Sequence, residues 1–162
     1  KRIGENLCFE YRRMYSLETK VVRIFNTYGP RMMPEDGRVI SNFIVQALKG
    51  NNLKVYGSGN QTRTFCFIDD LVDGIFRIMN CKYSGPINLG SPNEIQIKEL
   101  AHLIKNRINS TLGIDFVNLP ANDPKKRKPC LKIANEKIKW HAKTNIEKGL
   151  DKTIEYYKLL GF

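Results

Sequence analysis

Apolar residues along this 162-residue chain fall into two patterns, helical stripes and short continuous runs. Ile3, Leu7, Tyr11 and Met14 lie on one face of a helix over residues 3–15. Val21 to Phe25 is a short β-branched run that predicts a buried strand, followed by a loop, Asn26-Thr27-Tyr28-Gly29-Pro30-Arg31. Val39, Ile40, Phe43, Ile44, Ala47 and Leu48 predict a second helix, stopped by Gly50. Strands are expected at Leu53–Tyr56 and Phe65–Ile68, with a turn at Gly57-Ser58-Gly59-Asn60 between them. Asp69 reads as the cap of a helix that buries Leu71, Val72, Ile75, Phe76 and Met79. A strand at Ile87–Leu89 and a helix from Ile97, with Leu100, Ala101, Ile104 and Ile108 inward, come next. Ile114–Leu119 reads as a strand, 120–130 as a basic loop, 131–138 as a short helix and 146–159 as a last one. Strands alternating with helices predict an α/β fold with a largely parallel sheet.

Charge narrows the partners. The 27 Lys plus Arg outnumber the 16 Asp plus Glu, for a formal charge of +11. Such an excess favours anionic partners. No zinc-finger, RNP or helix-turn-helix signature accompanies it, so nucleic acid is not the expected partner. The lysines read as solvated helix faces, and a few loop arginines read better as phosphate ligands. Cys8, Cys66, Cys81 and Cys130 show no metal spacing and are expected to be free thiols. With His102 and His141 isolated from one another, no metal centre is expected. No apolar run reaches the roughly 18 to 20 residues that span a bilayer, and the first residues carry no signal-peptide pattern. No glycine-rich dinucleotide fingerprint follows a first strand; Gly57-Ser58-Gly59 lacks both the third glycine and a following helix.

Four segments together carry a family likeness. They are Asn26-Thr27-Tyr28-Gly29-Pro30-Arg31, Asp36 to Phe43 (DGRVISNF), Gln61 to Val72 (QTRTFCFIDDLV) and Asp123 to Pro129 (DPKKRKP). In this order and spacing the chain resembles the UDP-glucuronic acid decarboxylases (UDP-xylose synthases), extended short-chain dehydrogenase/reductases that act on nucleotide sugars. The resemblance runs through essentially the whole chain and implies its carboxyl-terminal half. The fold then implied is the carboxyl-terminal part of a Rossmann-type doubly wound parallel sheet plus a smaller α/β substrate-binding domain. Residues 1–50 would belong to the NAD-binding domain and 51–162 to the nucleotide-sugar domain, with segments interleaved.

The resemblance also assigns roles. Lys1-Arg2-Ile3-Gly4-Glu5 is similar to the continuation of the family's Tyr-x-x-x-Lys helix from its lysine, so Lys1 would be the catalytic lysine and a cofactor ligand. A lysine one helical turn from a tyrosine shares its face and favours the phenolate. Thr27 and Arg38 would stand at the cofactor side of the mouth. Asn26, Arg63 and Arg127 would hold the sugar nucleotide, the two arginines on its diphosphate. Tyr11, Val55 and Tyr56 match substrate-contacting positions and read equally well as core. Arg31 and Arg38 read equally well as surface ion pairs. The adjacent Asp69 and Asp70 are not expected to be an acid–base pair. Relatives usually carry Asp where this chain has Cys130.

The reaction implied is NAD-dependent. Oxidation at C4 of UDP-glucuronate leaves a carboxylate β to a ketone, which loses carbon dioxide readily, and re-reduction gives UDP-xylose. The resemblance further implies a UDP-sugar partner, a homodimer, no membrane contact in this segment, and a cytoplasmic setting (or the Golgi lumen, for anchored animal forms). Two alternatives remain at this point. One is another nucleotide-sugar enzyme of the superfamily, a dTDP-glucose 4,6-dehydratase or UDP-glucose 4-epimerase. The other is a binding segment without catalysis of its own.

Overall fold

The computed structural model describes residues 1–118 and 126–162. Six helices and nine short strands alternate along the described residues. Helix α1 spans Arg2–Tyr15, strand β1 Val22–Ile24 and β2 Thr27–Tyr28. Helix α2 covers Val39–Leu48, β3 Leu53–Tyr56, β4 Thr62–Thr64 and β5 Cys66–Phe67. Helix α3 runs Ile68–Met79, β6 Ile87–Leu89, β7 Glu94–Gln96 and α4 Ile97–Ile108. Strand β8 is Ile114–Val117, β9 Lys126–Arg127, α5 Lys132–Ile138 and α6 Ile146–Leu159.

The α/β alternation is as the pattern predicts, and among the described residues four of the five strand pairings are parallel. β1 pairs with β6, β2 with β5, β3 with β8, and β4 with β9. The exception is β4 against β7, an antiparallel pair. β7 was not foreseen, because three residues that read polar-apolar-polar carry no pattern of their own. The stretch expected as one strand, Phe65–Ile68, is divided: β5 ends at Phe67 and Ile68 already begins α3. Asp69 therefore sits inside the first helical turn and is not the cap; the cap position is Phe67. The carboxylates there still suit the positive end of the helix dipole.

Two apolar cores interleave along the chain. One joins α2, β3, α4 and α6, with Phe43, Ile44, Leu53, Val55, Leu100, Ile104, Leu150 and Tyr157 fully or almost fully buried. The other joins β6, α3 and α5 around Trp140. Trp140 is 1% exposed and donates its indole N–H to the Asp70 carbonyl at 2.9 Å. Burying an indole removes roughly 150–250 Å² from water, worth about 4–6 kcal/mol at 25 cal/mol per Å². Gly74 lets α3 approach it: a Cβ there would lie 3.0 Å from the indole and 2.8 Å from Leu89 Cδ1.

This contact corrects the expected stripe on α3. Leu71, Gly74 and Ile78 are buried, whereas Val72, Phe76 and Met79 are each more than half exposed. The α1 stripe behaves likewise; α1 has no buried residue, and Ile3, Leu7, Tyr11 and Met14 are each more than half exposed. The run expected as a buried strand is also half open, with Ile24 of β1 54% exposed.

Side-chain hydrogen bonds fasten the starts of α2 and α6. Asp36 Oδ1 accepts from Arg38 N at 2.9 Å and from Ser41 Oγ at 2.7 Å, fastening the start of α2. Asn145 Oδ1 accepts from Lys148 N at 2.9 Å at the start of α6. Asp70 Oδ2 accepts from the Thr144 and Lys143 amides at 2.8 and 3.1 Å, which orients the approach to α6.

Candidate functional site

The site assembles at the carboxyl end of the β1–β6 pair, where parallel α/β sheets take ligands. Strand β1 continues through Phe25, whose N–H donates to the Leu89 carbonyl at 2.9 Å, into Asn26. There the chain changes partner. The Asn26 carbonyl accepts from Cys66 N at 2.8 Å, and the Asn26 Nδ2 amide donates to the Thr64 carbonyl at 3.3 Å. Asn26 is thereby fixed against β4, one residue from Arg63.

The late segment closes over the same end. Asn88 Nδ2 donates to the Cys130 carbonyl at 2.9 Å, and Pro129 lies over Gly90. A Cβ on Gly90 would stand 2.9 Å from both Phe25 Cβ and Pro129 Cγ, so only glycine permits the approach. Arg127 enters two residues earlier, on β9. It is the direct register partner of Arg63 on β4. Paired residues of parallel strands project to the same face, so the two arginines leave the sheet side by side. Arg63 is 8% exposed, with Nη1 donating to the Thr62 carbonyl at 2.8 Å; Arg127 is exposed. The forks of two guanidiniums on neighbouring strands suit phosphate oxygens.

Other expected residues divide. Lys1 is exposed and shares with Glu5, Cys8, Arg23 and Ile24 an open hollow of about 550 Å³ between α1 and β1. Thr27 is half-buried, its hydroxyl donating to the Phe25 carbonyl at 2.9 Å. Arg38 pairs with Asp36 at 3.3 Å and is otherwise exposed. Val55 points its whole side chain into the core, and Tyr56, one residue on, is exposed. The Gln61 side-chain amide donates to the Tyr56 carbonyl at 2.8 Å, tying β3 to the approach to β4. Tyr11 is not gathered with the rest. It stacks on Tyr15, and the neighbouring Arg12 binds the Ser84 and Thr19 carbonyls, at the amino-terminal end of the β1–β6 pair. At 1.5 Å per residue it stands about 15 Å along the helix from Lys1. Asp123, Pro124 and Lys125 of the basic loop lie outside the described residues.

Electrostatics exclude some chemistry. Burial pushes the Tyr28 phenol well above its usual range, with Cys66 and Asp70 adding to the effect. Burial also pushes Tyr157 up to about 12, helped by Asp36 and Glu35. Neither phenol can serve as a proton acceptor near neutral pH. Asp69 and Asp70 do not form a dyad: Asp69 faces Lys152 at 3.8 Å, while Asp70 holds backbone amides. Among the described residues no three His, Cys, Asp or Glu side chains could share a metal ion.

Lys1, Thr27 and Asn26 flank the carboxyl end of β1. Gly57-Ser58-Gly59 leads from β3 into the strand β4, so it presents no helix amino terminus to a pyrophosphate.

A model of the NAD dependent epimerase/dehydratase family matches residues 1–90, more than half of the chain. The chain belongs to that family. Within it, the chain is similar to UDP-glucuronic acid decarboxylase 1 of Xenopus tropicalis, 46% identical over 158 residues, which are 98% of this chain and 38% of that protein. It is 45% identical to UDP-glucuronic acid decarboxylase 3 of Arabidopsis thaliana, over 98% of this chain and 46% of that protein. The chain thus spans less than half the length of these curated relatives. Among solved structures it superposes on UDP-glucose 4-epimerase of Thermotoga maritima, crystallised with UDP-glucose, with a TM-score of 0.95 and 26% identity, over 100% of this chain and 53% of that one. UDP-glucuronic acid 4-epimerase of Bacillus cereus, in complex with UDP-glucuronic acid and NAD, matches with a TM-score of 0.89 and 26% identity, over 99% of this chain and 51% of that one. The fold is the Rossmann-type α/β fold of these enzymes. Among the described residues no helix is long and apolar enough to cross a membrane.

Sequence reasoning missed Glu94. Its carboxylate accepts from Thr62 Oγ1 at 3.0 Å and from Lys128 Nζ at 3.2 Å, linking β4 to the residue after β9. A lone glutamate in an unforeseen strand carries no sequence signal for such a contact.

Proposed function

We propose that this chain supplies the sugar-nucleotide-holding part of an NAD-dependent UDP-glucuronate decarboxylase, which yields UDP-xylose and carbon dioxide. The observation that carries the reading is the register pairing of Arg63 with Arg127, beside an Asn26 fastened to the same strand. A pair of guanidiniums two strands wide suits a diphosphate better than a single phosphate. The names of the relatives at 45–46% identity favour glucuronate as the sugar.

In this reading Arg63 and Arg127 grip the diphosphate, Asn26 meets the sugar nucleotide, and exposed Tyr56 offers a face to the base or ribose. Val55 contributes through its backbone alone, since its side chain is core. Lys1 and Thr27 stand at the cofactor side of the carboxyl edge, with Arg38 at the mouth. NAD, when bound, supplies the hydride acceptor and donor at C4 of the sugar. The protein's own task is to hold the diphosphate and so place the sugar ring against that edge. In this reading residues 1–50 belong to the NAD-binding domain and 51–162 to the nucleotide-sugar domain, with segments interleaved: β6 stands beside β1, and α2 packs with β3, α4 and α6. A homodimer joined through the open face of α1 belongs to the same proposal.

The test has two parts. UDP titrated into the chain should bind, and Arg63→Ala and Arg127→Ala should each weaken it about 10- to 100-fold, the worth of a charge-assisted phosphate contact. The polypeptide that the gene encodes in full should release carbon dioxide from UDP-glucuronate in the presence of NAD. Turnover of UDP-glucose without any attack on UDP-glucuronate would refute the substrate assignment.

A further inference from the structure

We propose that Glu94 is the positioning residue of the arginine pair, a clasp on the rear face of the sheet that sets how Arg127 stands beside Arg63. The inference rests on the reading of that pair as a diphosphate clamp. The residue just before the first arginine, Thr62, and the residue just after the second, Lys128, both donate to Glu94, at 3.0 and 3.2 Å. One carboxylate therefore links β7, β4 and the residue that follows β9.

Sheet geometry places this clasp behind the arginines. Opposed residues of an antiparallel pair share a face, and Thr64 opposes Glu94 while Arg63 opposes Ile95. Thr62, Thr64 and Glu94 thus occupy one face, and Arg63 and Arg127 leave from the other. Strand β9 is two residues long, too short to hold its own register. Glu94 fixes the residue that follows it laterally; the Glu94 side chain is 21% exposed and that of Lys128 44%. The carboxylate thus acts on a bound anion without touching it.

The role makes a prediction opposite in sign to simple electrostatics. Removing a negative charge near an anion site should tighten anion binding if only the field mattered. If Glu94 positions the clamp, its loss should weaken binding.

The experiment is calorimetric titration of UDP into the chain and into Glu94→Gln, Arg127→Ala and the double variant, with thermal melting of each. Glutamine keeps the size and an acceptor for Thr62 but loses the charge that holds Lys128. Glu94→Gln is expected to weaken UDP about tenfold, the scale of one charge-assisted hydrogen bond. In the Arg127→Ala background the same change should cost less than about twofold, because the residue being positioned is gone. Any shift in melting midpoint should be equal in the two backgrounds. Tighter or unchanged UDP binding in Glu94→Gln would overturn the proposal, as would an equal loss of affinity in both backgrounds. If Arg63→Ala and Arg127→Ala both bind UDP as well as the native chain, the clamp reading itself fails.

Discussion

The tyrosine of the Asn26-Thr27-Tyr28 segment is a packing residue, and its partner is a glycine. Tyr28 is 2% exposed and donates its hydroxyl to the Ile146 carbonyl at 3.2 Å, at the start of α6. Gly149 lies one turn further along that helix. A Cβ there would collide with Tyr28 Oη and stand 2.7 Å from Tyr28 Cζ and 2.9 Å from Phe67 Cδ2. Gly149→Ala therefore sets two effects against each other. Helix propensity favours alanine by about 1 kcal/mol. Overpacking costs about 1–3 kcal/mol, and displacing Tyr28 forfeits a hydrogen bond worth about 1 kcal/mol. The balance is a loss of about 1–3 kcal/mol, or a fall of roughly 3–10 °C in melting midpoint for a chain of this size. Differential scanning calorimetry reads it directly. In a Tyr28→Phe background the obstructing oxygen is gone, so Gly149→Ala should cost about 1 kcal/mol less there. A Gly149→Ala chain that melts at or above the native temperature would refute the reasoning. So would an unchanged cost in the Tyr28→Phe background.

Three further outcomes are expected. The bidentate pair of Arg23 with Glu5, at 2.8 and 2.6 Å, ties α1 to β1, and its hydrogen bonds hold the Glu5 carboxyl below its ordinary 4.5. A depressed folded pKa gives stability that is present above the unfolded value and lost as pH falls through the folded one. The protection factors of α1 amides, taken against the intrinsic exchange rate at each pH, should therefore fall as the solution is acidified below 4.5, and Glu5→Gln should remove that pH dependence; an acid response that persists in Glu5→Gln would contradict it. Burial, with Asp70 adding to it, pushes the Cys66 thiol up to about 12, while Cys130 is exposed. Iodoacetamide at mild alkaline pH should label Cys130 early and Cys66 only on unfolding, as peptide mass mapping would show; equal rates would be the contrary result. Finally, Ile3, Leu7, Tyr11 and Met14 form an exposed apolar face, and the chain is expected to self-associate through it. Leu7→Glu with Met14→Glu should shift sedimentation toward the monomer, whereas a native chain that is monomeric at every concentration would count against this.

Helices were legible where one stripe dominated. In α2, α4 and α6 the apolar positions recur on a single face, and those faces are buried. Helix α3 carries two apolar rows, Leu71-Ile75-Ile78 and Val72-Phe76-Met79, and periodicity cannot choose between them. The choice is made by Gly74, which the pattern ignores and which admits the Trp140 indole. Position 140 is remote in sequence, so its vote cannot be counted from α3 alone. Short strands were illegible for a different reason. Strands β2 and β9 have two residues each, too few to show a period of two.

The same distinction separates the readable part of the site from the rest. Asn26, Arg63 and Arg127 each sit in a recognisable segment, so resemblance could name them singly. Resemblance also set both arginines on one diphosphate, but not their register, because residues 63 and 127 become neighbours only through a parallel pairing. A two-residue strand contributes almost nothing to its own placement. Beyond its pairing with β4, the contacts that hold the segment after β9 among the described residues include Pro129 over Gly90, the Cys130 carbonyl on Asn88, and Lys128 on Glu94. Two of these contacts concern the β6 end, and the third reaches β7 through a strand that no pattern announces. The geometry of the arginine pair is therefore owed to residues that carry no phosphate chemistry themselves. A substitution at Gly90 would test this from the other side. Gly90→Ala puts a methyl 2.9 Å from Phe25 Cβ and Pro129 Cγ and must push the late segment outward. It should weaken UDP, and calorimetric titration that finds the native affinity in Gly90→Ala would refute the argument.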